Sequence, residues 1–522
     1  MSKQPTVQKG SQAKLDNFVF YGTVSVTGAA VMMVELLGTR IIGPYYGVSL
    51  VVWSSLLSVS LLALAFGYYL GGYFAANRGQ WRLPHAVISA SVFIAAIPVL
   101  SQPVQLMFNG LGLRGGALAS AFVLFTPALL MLGMAGPLVI QMATARVERV
   151  GATAGNVYAI STIGSVLGTL VLGFYLLPLF GTHAILWALA LVLLLLALLL
   201  VIYERHRMKL ATRLWPWLIA GLLVVIGVGA QAANASAKSY ENYTVLFEQE
   251  THYGWVRVVD QPEKDLRWLM SDASTIGVEH LPTGQGLLGY QSIVRTLPWF
   301  KLESEKALLI GLGAGHLVAD LAKFGIATDA IEIDPAVAKS AVDFFNFRPT
   351  GKVIVGDARY QVQRLENQKY DLIIHDCFTG GAEPFHLLSE EMIQLLKSRL
   401  TPNGVLAVNF VGFTDPTRLK PVQSIAATLD AVFAHRKNYV PRLGEDFSDY
   451  VFIVSDAPLN PGLHPSSKGT AQWLAQREVN IPAGDAPVIT DDYNPLEFLQ
   501  IAKAEYYRKL LIDRVGESVL FR

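Results

Sequence analysis

Cysteine is almost missing from this sequence. Cys377 is the only one in 522 residues, so no intrachain disulfide forms and no cysteine-rich metal site can be built. The 10 histidines are scattered without ligand spacing, and no metal is expected. Charge is scarce as well: 16% of residues are Asp, Glu, Lys or Arg, well below the globular average. A net charge of +1 argues against nucleic acid as a partner. No period of about 20–50 residues suggests a solenoid. A cleavable leader is not expected, because residues 1–17 are polar and the first apolar stretch is long enough to span a bilayer.

What is present is apolar, at 52% of the chain, and the first half holds long stretches without any charge. By the criterion of about 20 predominantly apolar residues per crossing, about seven spans are expected, near 18–43, 50–75, 83–101, 117–142, 154–180, 184–203 and 214–233. Small residues at Ser161, Gly164, Ser165 and Gly168 suit close helix packing in lipid. Glu35 and Arg40 fall inside the first span, where charge is costly. They read as a structural ion pair, as a snorkelling Arg40, or as the lining of a polar passage.

The loops on the N-terminal side carry Lys3, Lys9, Lys14, Arg78, Arg82, Arg146, Arg149, Arg205, Arg207, Lys209 and Arg213, against essentially Arg114 on the other. That asymmetry puts the N-terminus in the cytoplasm. Seven crossings would then leave the second half outside, whereas nucleoside chemistry is expected inside. The sequence leaves this conflict open. The expectation is a multi-pass protein of the inner (plasma) membrane, with the lipid bilayer as partner.

The composition predicts a polar tail at 1–17, a membrane domain at 18–233, a small β subdomain at 234–300 and a Rossmann-like catalytic domain at 301–522. Residues 243–300 alternate in short runs such as TVLFEQ, GWVRVVD and LRWLMSD, the pattern of a small antiparallel unit. Strands are predicted at 306–311, 328–333, 352–356, 370–376, 404–410, 436–441 and 450–455, with helices between the first six. This is a mostly parallel sheet covered on both faces, a design that binds ligands at the carboxyl ends of its strands.

The most informative stretch is 307–334. An apolar strand runs into Gly311, Gly313 and Gly315; a helical pattern follows from His316; a second apolar strand ends in Glu332-Ile333-Asp334. Glycines let the backbone approach a ligand, and an acid about 20 residues later can accept from ribose hydroxyls. The alternative is a plain tight turn. Asp357 and Asp376 end the third and fourth strands, so the acids converge on one cleft. Asp357 suits an adenine amino group, or caps the next helix.

The motifs GLGAG at 311–315, IEID at 331–334, GDA at 356–358, YDLIIHD at 370–376 and DDYNPLEF at 491–498 resemble the spermidine synthase-like family. The membrane half resembles its transmembrane-fused branch. The resemblance implies a small β domain before a methyltransferase-like sheet. It also implies a small-molecule nucleoside substrate, aminopropyl transfer from decarboxylated S-adenosylmethionine to a polyamine, and release of methylthioadenosine. It assigns Gly311, Gly313, Ala314 and Gly315 to the nucleoside, Glu332 to the ribose, Asp357 with Ala358 to the adenine, and Asp376 to catalysis. Tyr253, Asp272 and Tyr290 join the substrate site. No cofactor beyond S-adenosylmethionine as substrate is expected, and the oligomeric state is left open.

The sequence also departs from the family pattern. Ala314 and Thr379 stand where the family has acids, Gly254 and Ile276 where it has glutamines, and Gln291-Ser292 where it has His-Glu. Such groups hold a cationic amine. Alanine at 314 also removes repulsion of a substrate carboxylate, which admits S-adenosylmethionine itself. The favoured expectation is therefore a lyase: the ligand's own carboxylate attacks its γ-carbon, expels methylthioadenosine and closes homoserine lactone, with Asp376 orienting the α-ammonium. The alternatives are aminopropyl transfer with a degenerate acceptor site, methyl transfer, and a non-enzymatic membrane sensor.

Overall fold

The computed structural model describes residues 6–47, 50–77, 81–144, 150–207, 219, 221–222, 226–227, 242–378 and 381–520. The chain divides into two units between residues 238 and 239.

Among the described residues of the first unit, 6 helices are long and apolar enough to cross a membrane: α1 (Leu15–Tyr46), α2 (Leu50–Ala76), α3 (Leu83–Met107), α4 (Asn109–Ala143), α5 (Val150–Leu176) and α6 (Thr182–His206). Helices suit this role because each satisfies its own backbone where no water can. Helical backbone already begins at Thr6, within the stretch expected as a polar tail. The expected seventh span at 214–233 lies largely outside the described residues. Small residues set the close packing of α1 on α5. A Cβ on Gly164 would lie 2.2 Å from the Ser25 carbonyl oxygen, and one on Gly168 would lie 2.7 Å from the Ala29 Cβ. The Ser165 hydroxyl donates to the Gly28 carbonyl at 2.9 Å. Glu35 and Arg40 are both half-buried; five residues apart on a helix, their side chains point about 140° away from each other. Arg82 lies 3.7 Å from the buried Glu204.

The second unit holds two sheets. The smaller is an antiparallel meander of five strands: β1 (Thr244–Glu250), β2 (Trp255–Gln261), β3 (Leu266–Ser271), β4 (Ser274–His280) and β5 (Gln285–Gly286). The larger has seven: β6 (Lys306–Ile310), β7 (Ala327–Glu332), β8 (Val353–Val355), β9 (Tyr370–His375), β10 (Leu400–Phe413), β11 (His435–Tyr439) and β12 (Phe447–Ser455). Their order is β11-β12-β10-β9-β6-β7-β8. Strands β8, β7, β6, β9 and β10 run parallel, while β12 is antiparallel to both of its neighbours. Helices α7 (His316–Ala322), α8 (Pro335–Phe344), α9 (Ala358–Arg364), α10 (Glu390–Lys397) and α11 (Lys420–Val432) fill the crossovers, and α12 (Ile501–Val515) follows the sheet.

This is a Rossmann-like domain. Leu308 and Ile310 pack into one apolar core and Ala307 and Leu309 into the other, so β6 is buried on both faces. The crossovers reverse direction at β6. The carboxyl ends of β6, β7 and β9 therefore open into one crevice.

Candidate active site

The turn after β6 needs its glycines. Gly311, Gly313 and Gly315 have φ of +91, +52 and +80°, a region side chains rarely adopt. A Cβ on Gly311 would sit 2.0 Å from the Asp376 carbonyl oxygen. The Asp376 amide donates to the Ile310 carbonyl at 2.8 Å, which fixes the loop after β9 against this turn.

Glu332, at the end of β7, grips the same turn. One carboxylate oxygen accepts from the Leu312 amide at 3.1 Å and the other from the Asp334 amide at 3.0 Å. Burial pushes its carboxyl up, and those amides pull it back. Asp334 caps α8 through the Ala336 amide and accepts from the Thr251 hydroxyl at 2.5 Å, which ties the β1–β2 loop to β7.

Asp357 caps α9 through the Tyr360 amide at 2.8 Å, while its other oxygen stands 3.8 Å from His386. The late DDYNPLEF motif braces this corner. Asp491 pairs with Arg359, whose hydrogen bonds pull its carboxyl down to about 2, and accepts from Ser389 at 2.6 Å.

At the tip of β9, Asp376 is clamped from two sides. The Tyr290 hydroxyl donates to Oδ2 at 2.5 Å, and the Asn409 amide donates to Oδ1 at 3.1 Å. Burial outweighs both hydrogen bonds and raises the Asp376 carboxyl to about 6. Burial, with the neighbouring Asp376 charge, pushes Asp449 up to about 7. Behind them, Glu383 and Lys503 form a buried ion pair, and Glu383 also accepts from the Val411 amide at 2.8 Å.

The glycine turn and the acids at the strand tips line one cavity of about 710 Å³, large enough for a nucleoside. It brings together Tyr253, Tyr290, Gly311, Gly313, Glu332, Asp357, Ala358 and Asp376. Ala314, Gly315 and Asp272 stay outside the lining. Ala314 packs with Val256, Val258 and Leu269 in an apolar cluster, because it faces Gly277 of the small sheet. Gly315 makes room for the Phe347 ring. Asp272 spends its carboxylate on the Trp255 amide at 2.8 Å, holding the β3–β4 turn. Thr379 lies outside the described residues. Asn409, Asp449 and Tyr507, which no motif marks, also reach the cavity. Asp449, an acid in the otherwise apolar strand DYVFIVS, was the one local signal.

The profile of the Spermine/spermidine synthase domain matches residues 287–443. A polyamine aminopropyltransferase of Vibrio vulnificus is 39% identical over 221 residues, covering 38% of this chain and 72% of that protein. The chain belongs to the spermine/spermidine synthase family. The chain is also similar to a protein of another name: an N-terminal histidine N-methyltransferase of Emericella nidulans is 30% identical over 241 residues, covering 41% of this chain and 42% of that protein. The chain thus spans less than half the length of that fungal relative. Among solved structures, a probable spermidine synthase from Corynebacterium glutamicum aligns over 48% of this chain and 96% of its own, at 18% identity and a TM-score of 0.40.

Proposed function

We propose that this membrane protein is an enzyme that moves an alkyl group from an S-adenosylmethionine-type sulfonium nucleoside to an amine. The supporting observation is the Asp376 clamp. A carboxylate pushed to about 6 is matched to taking a proton near neutrality, whereas one that merely orients an ammonium needs no such shift. The nucleoside lies along Gly311 and Gly313, with its ribose at Glu332 and its adenine toward Asp357 and Ala358, so its sulfonium faces Asp376. The amine nitrogen forms a bond to the carbon attached to sulfur. The C–S electron pair stays on sulfur, and the proton leaves through Asp376. Transfer of aminopropyl from the decarboxylated nucleoside to a polyamine fits best with the Vibrio vulnificus relative, and methyl transfer with the fungal one. Neither form requires a metal or an added cofactor.

The lyase is the second reading. Its support is that Ala314, where the family has an acid, packs in an apolar cluster and carries no charge to repel a substrate carboxylate.

One experiment separates these chemistries. Detergent-purified protein is incubated with S-adenosylmethionine alone, with S-adenosylmethionine plus putrescine, and with the decarboxylated nucleoside plus putrescine, and products are identified by mass. Methylthioadenosine only when decarboxylated nucleoside and amine are both present supports aminopropyl transfer. S-adenosylhomocysteine means methyl transfer. Methylthioadenosine with homoserine lactone from S-adenosylmethionine alone means the lyase. No product in any arm refutes all three.

A further inference from the structure

Beside Asp376, two hydrogen-bond acceptors of the cavity lining, on Asn409 and Asp449, lack donors among the described residues. Asn409 is 7% exposed and gives its amide to Asp376, and its own Oδ1 is buried with no hydrogen-bond partner among the described residues. Such an atom is costly to leave unmade, so it points to a ligand that donates. Asp449 comes from the antiparallel strand β12, where Asp449 pairs with Val411 and Val451 pairs with Asn409. Asn409, Val411 and Asp449 therefore face the same side of the sheet. The Asp449 carboxylate lines the cavity and has no hydrogen-bond donor among the described residues. It lies close enough to Asp376 for their charges to oppose each other, and Arg514, the cation of the lining that acts on it, makes no hydrogen bond to it and offsets this only in part.

Glu383, the next acid along the catalytic loop, cannot serve, because Lys503 and the Val411 amide already occupy it. No cluster among the described residues is suited to a metal ion. The partner for two carboxylates and an orphan carbonyl oxygen is then a group with several N–H donors and a positive charge. A primary ammonium has three.

We propose that Asp449 is a specificity-determining residue, which with Asp376 and Asn409 forms a subsite for a primary ammonium. Strand β12 thereby supplies the second carboxylate that the sequence lacks at Ala314 and Thr379. The ammonium belongs either to an acceptor amine or to the α-amino group of S-adenosylmethionine. This rests on the reading that Asp376 faces the reacting end of the nucleoside.

The test is calorimetry on the full chain in detergent, with putrescine, S-adenosylmethionine and methylthioadenosine as separate probes. Methylthioadenosine has the nucleoside but no ammonium. Asp449→Asn should weaken the ammonium-bearing probe by about tenfold or more, the loss of a charge-assisted contact, and leave methylthioadenosine within about twofold. Asp449→Glu should restore most of the loss. A selective loss for putrescine assigns the ammonium to an acceptor; a selective loss for S-adenosylmethionine assigns it to the α-amino group. If Asp449→Asn fails to fold, Asn409→Leu replaces it and should show the same selectivity. The proposal is overturned if both ammonium probes bind variant and wild type alike, or if neither binds the wild type. Failure of methylthioadenosine to bind the wild type counts against the nucleoside reading alone, because the putrescine measurement still decides the subsite.

Discussion

Tyr290 and Asp376 are 86 residues apart and joined by a 2.5 Å hydrogen bond. Tyr290 immediately precedes the short helix that follows the small sheet, and Asp376 immediately follows the central strand β9 of the large one. The bond therefore joins the two sheets at the cavity, and it offsets part of the rise in proton affinity that burial gives the proposed base.

That bond favours the ionised carboxylate, so removing it should raise the Asp376 carboxyl further above about 6. The base works ionised, and its activity is lost as pH falls through its pKa. Tyr290→Phe should move the acid limb of kcat/KM upward by about one pH unit, as expected for a hydrogen bond to a charged group. A pH–rate profile with an unmoved acid limb would remove Asp376 from the role of base.

Glu332 both holds the glycine turn and faces the cavity. Glu332→Ala should weaken methylthioadenosine binding by roughly tenfold or more. It should also lower thermal stability, since the Leu312 and Asp334 amides lose their acceptor. Unchanged affinity in calorimetry would show that the ribose is held elsewhere.

The Glu383–Lys503 pair anchors α12 behind Asn409 and Val411, with both side chains almost fully buried. Lys503→Met leaves a buried carboxylate uncompensated and should cost about 3–5 kcal/mol. Adding Glu383→Gln should recover part of this, because the amide still accepts from Val411. Denaturant or thermal melts of the two variants measure the difference, and equal losses would mean that the pair carries no coupling.

Orientation follows from the number of crossings. With the N-terminus inside by charge, the six candidate crossings among the described residues predict that the second unit faces the cytoplasm. A reporter fused after Arg522 should be active inside the cell. Activity only outside would mean that 214–233 is a seventh crossing.

Local patterns determined much of this protein. Apolar length alone marked the described membrane helices, because every crossing must satisfy the same bilayer thickness. Period and punctuation marked the strands of the large sheet, from 306–310 to 447–455, and glycine chemistry marked the turn at Gly311. Acids at the tips of β7, β8 and β9 were legible because parallel strands send their carboxyl ends to one edge. Tertiary structure decided the rest. Asp449 reaches the cavity only because β12 inserts antiparallel beside β10, and Tyr507 only because α12 folds back onto it. Ala314 and Asp272, which motif position assigned to the ligand, are instead claimed by the small sheet packing on the glycine turn and by its own hairpin. Neither outcome has a local signature, since each depends on which distant surface a side chain meets, and the contacts made by packing are not written in the spacing of neighbours along the chain.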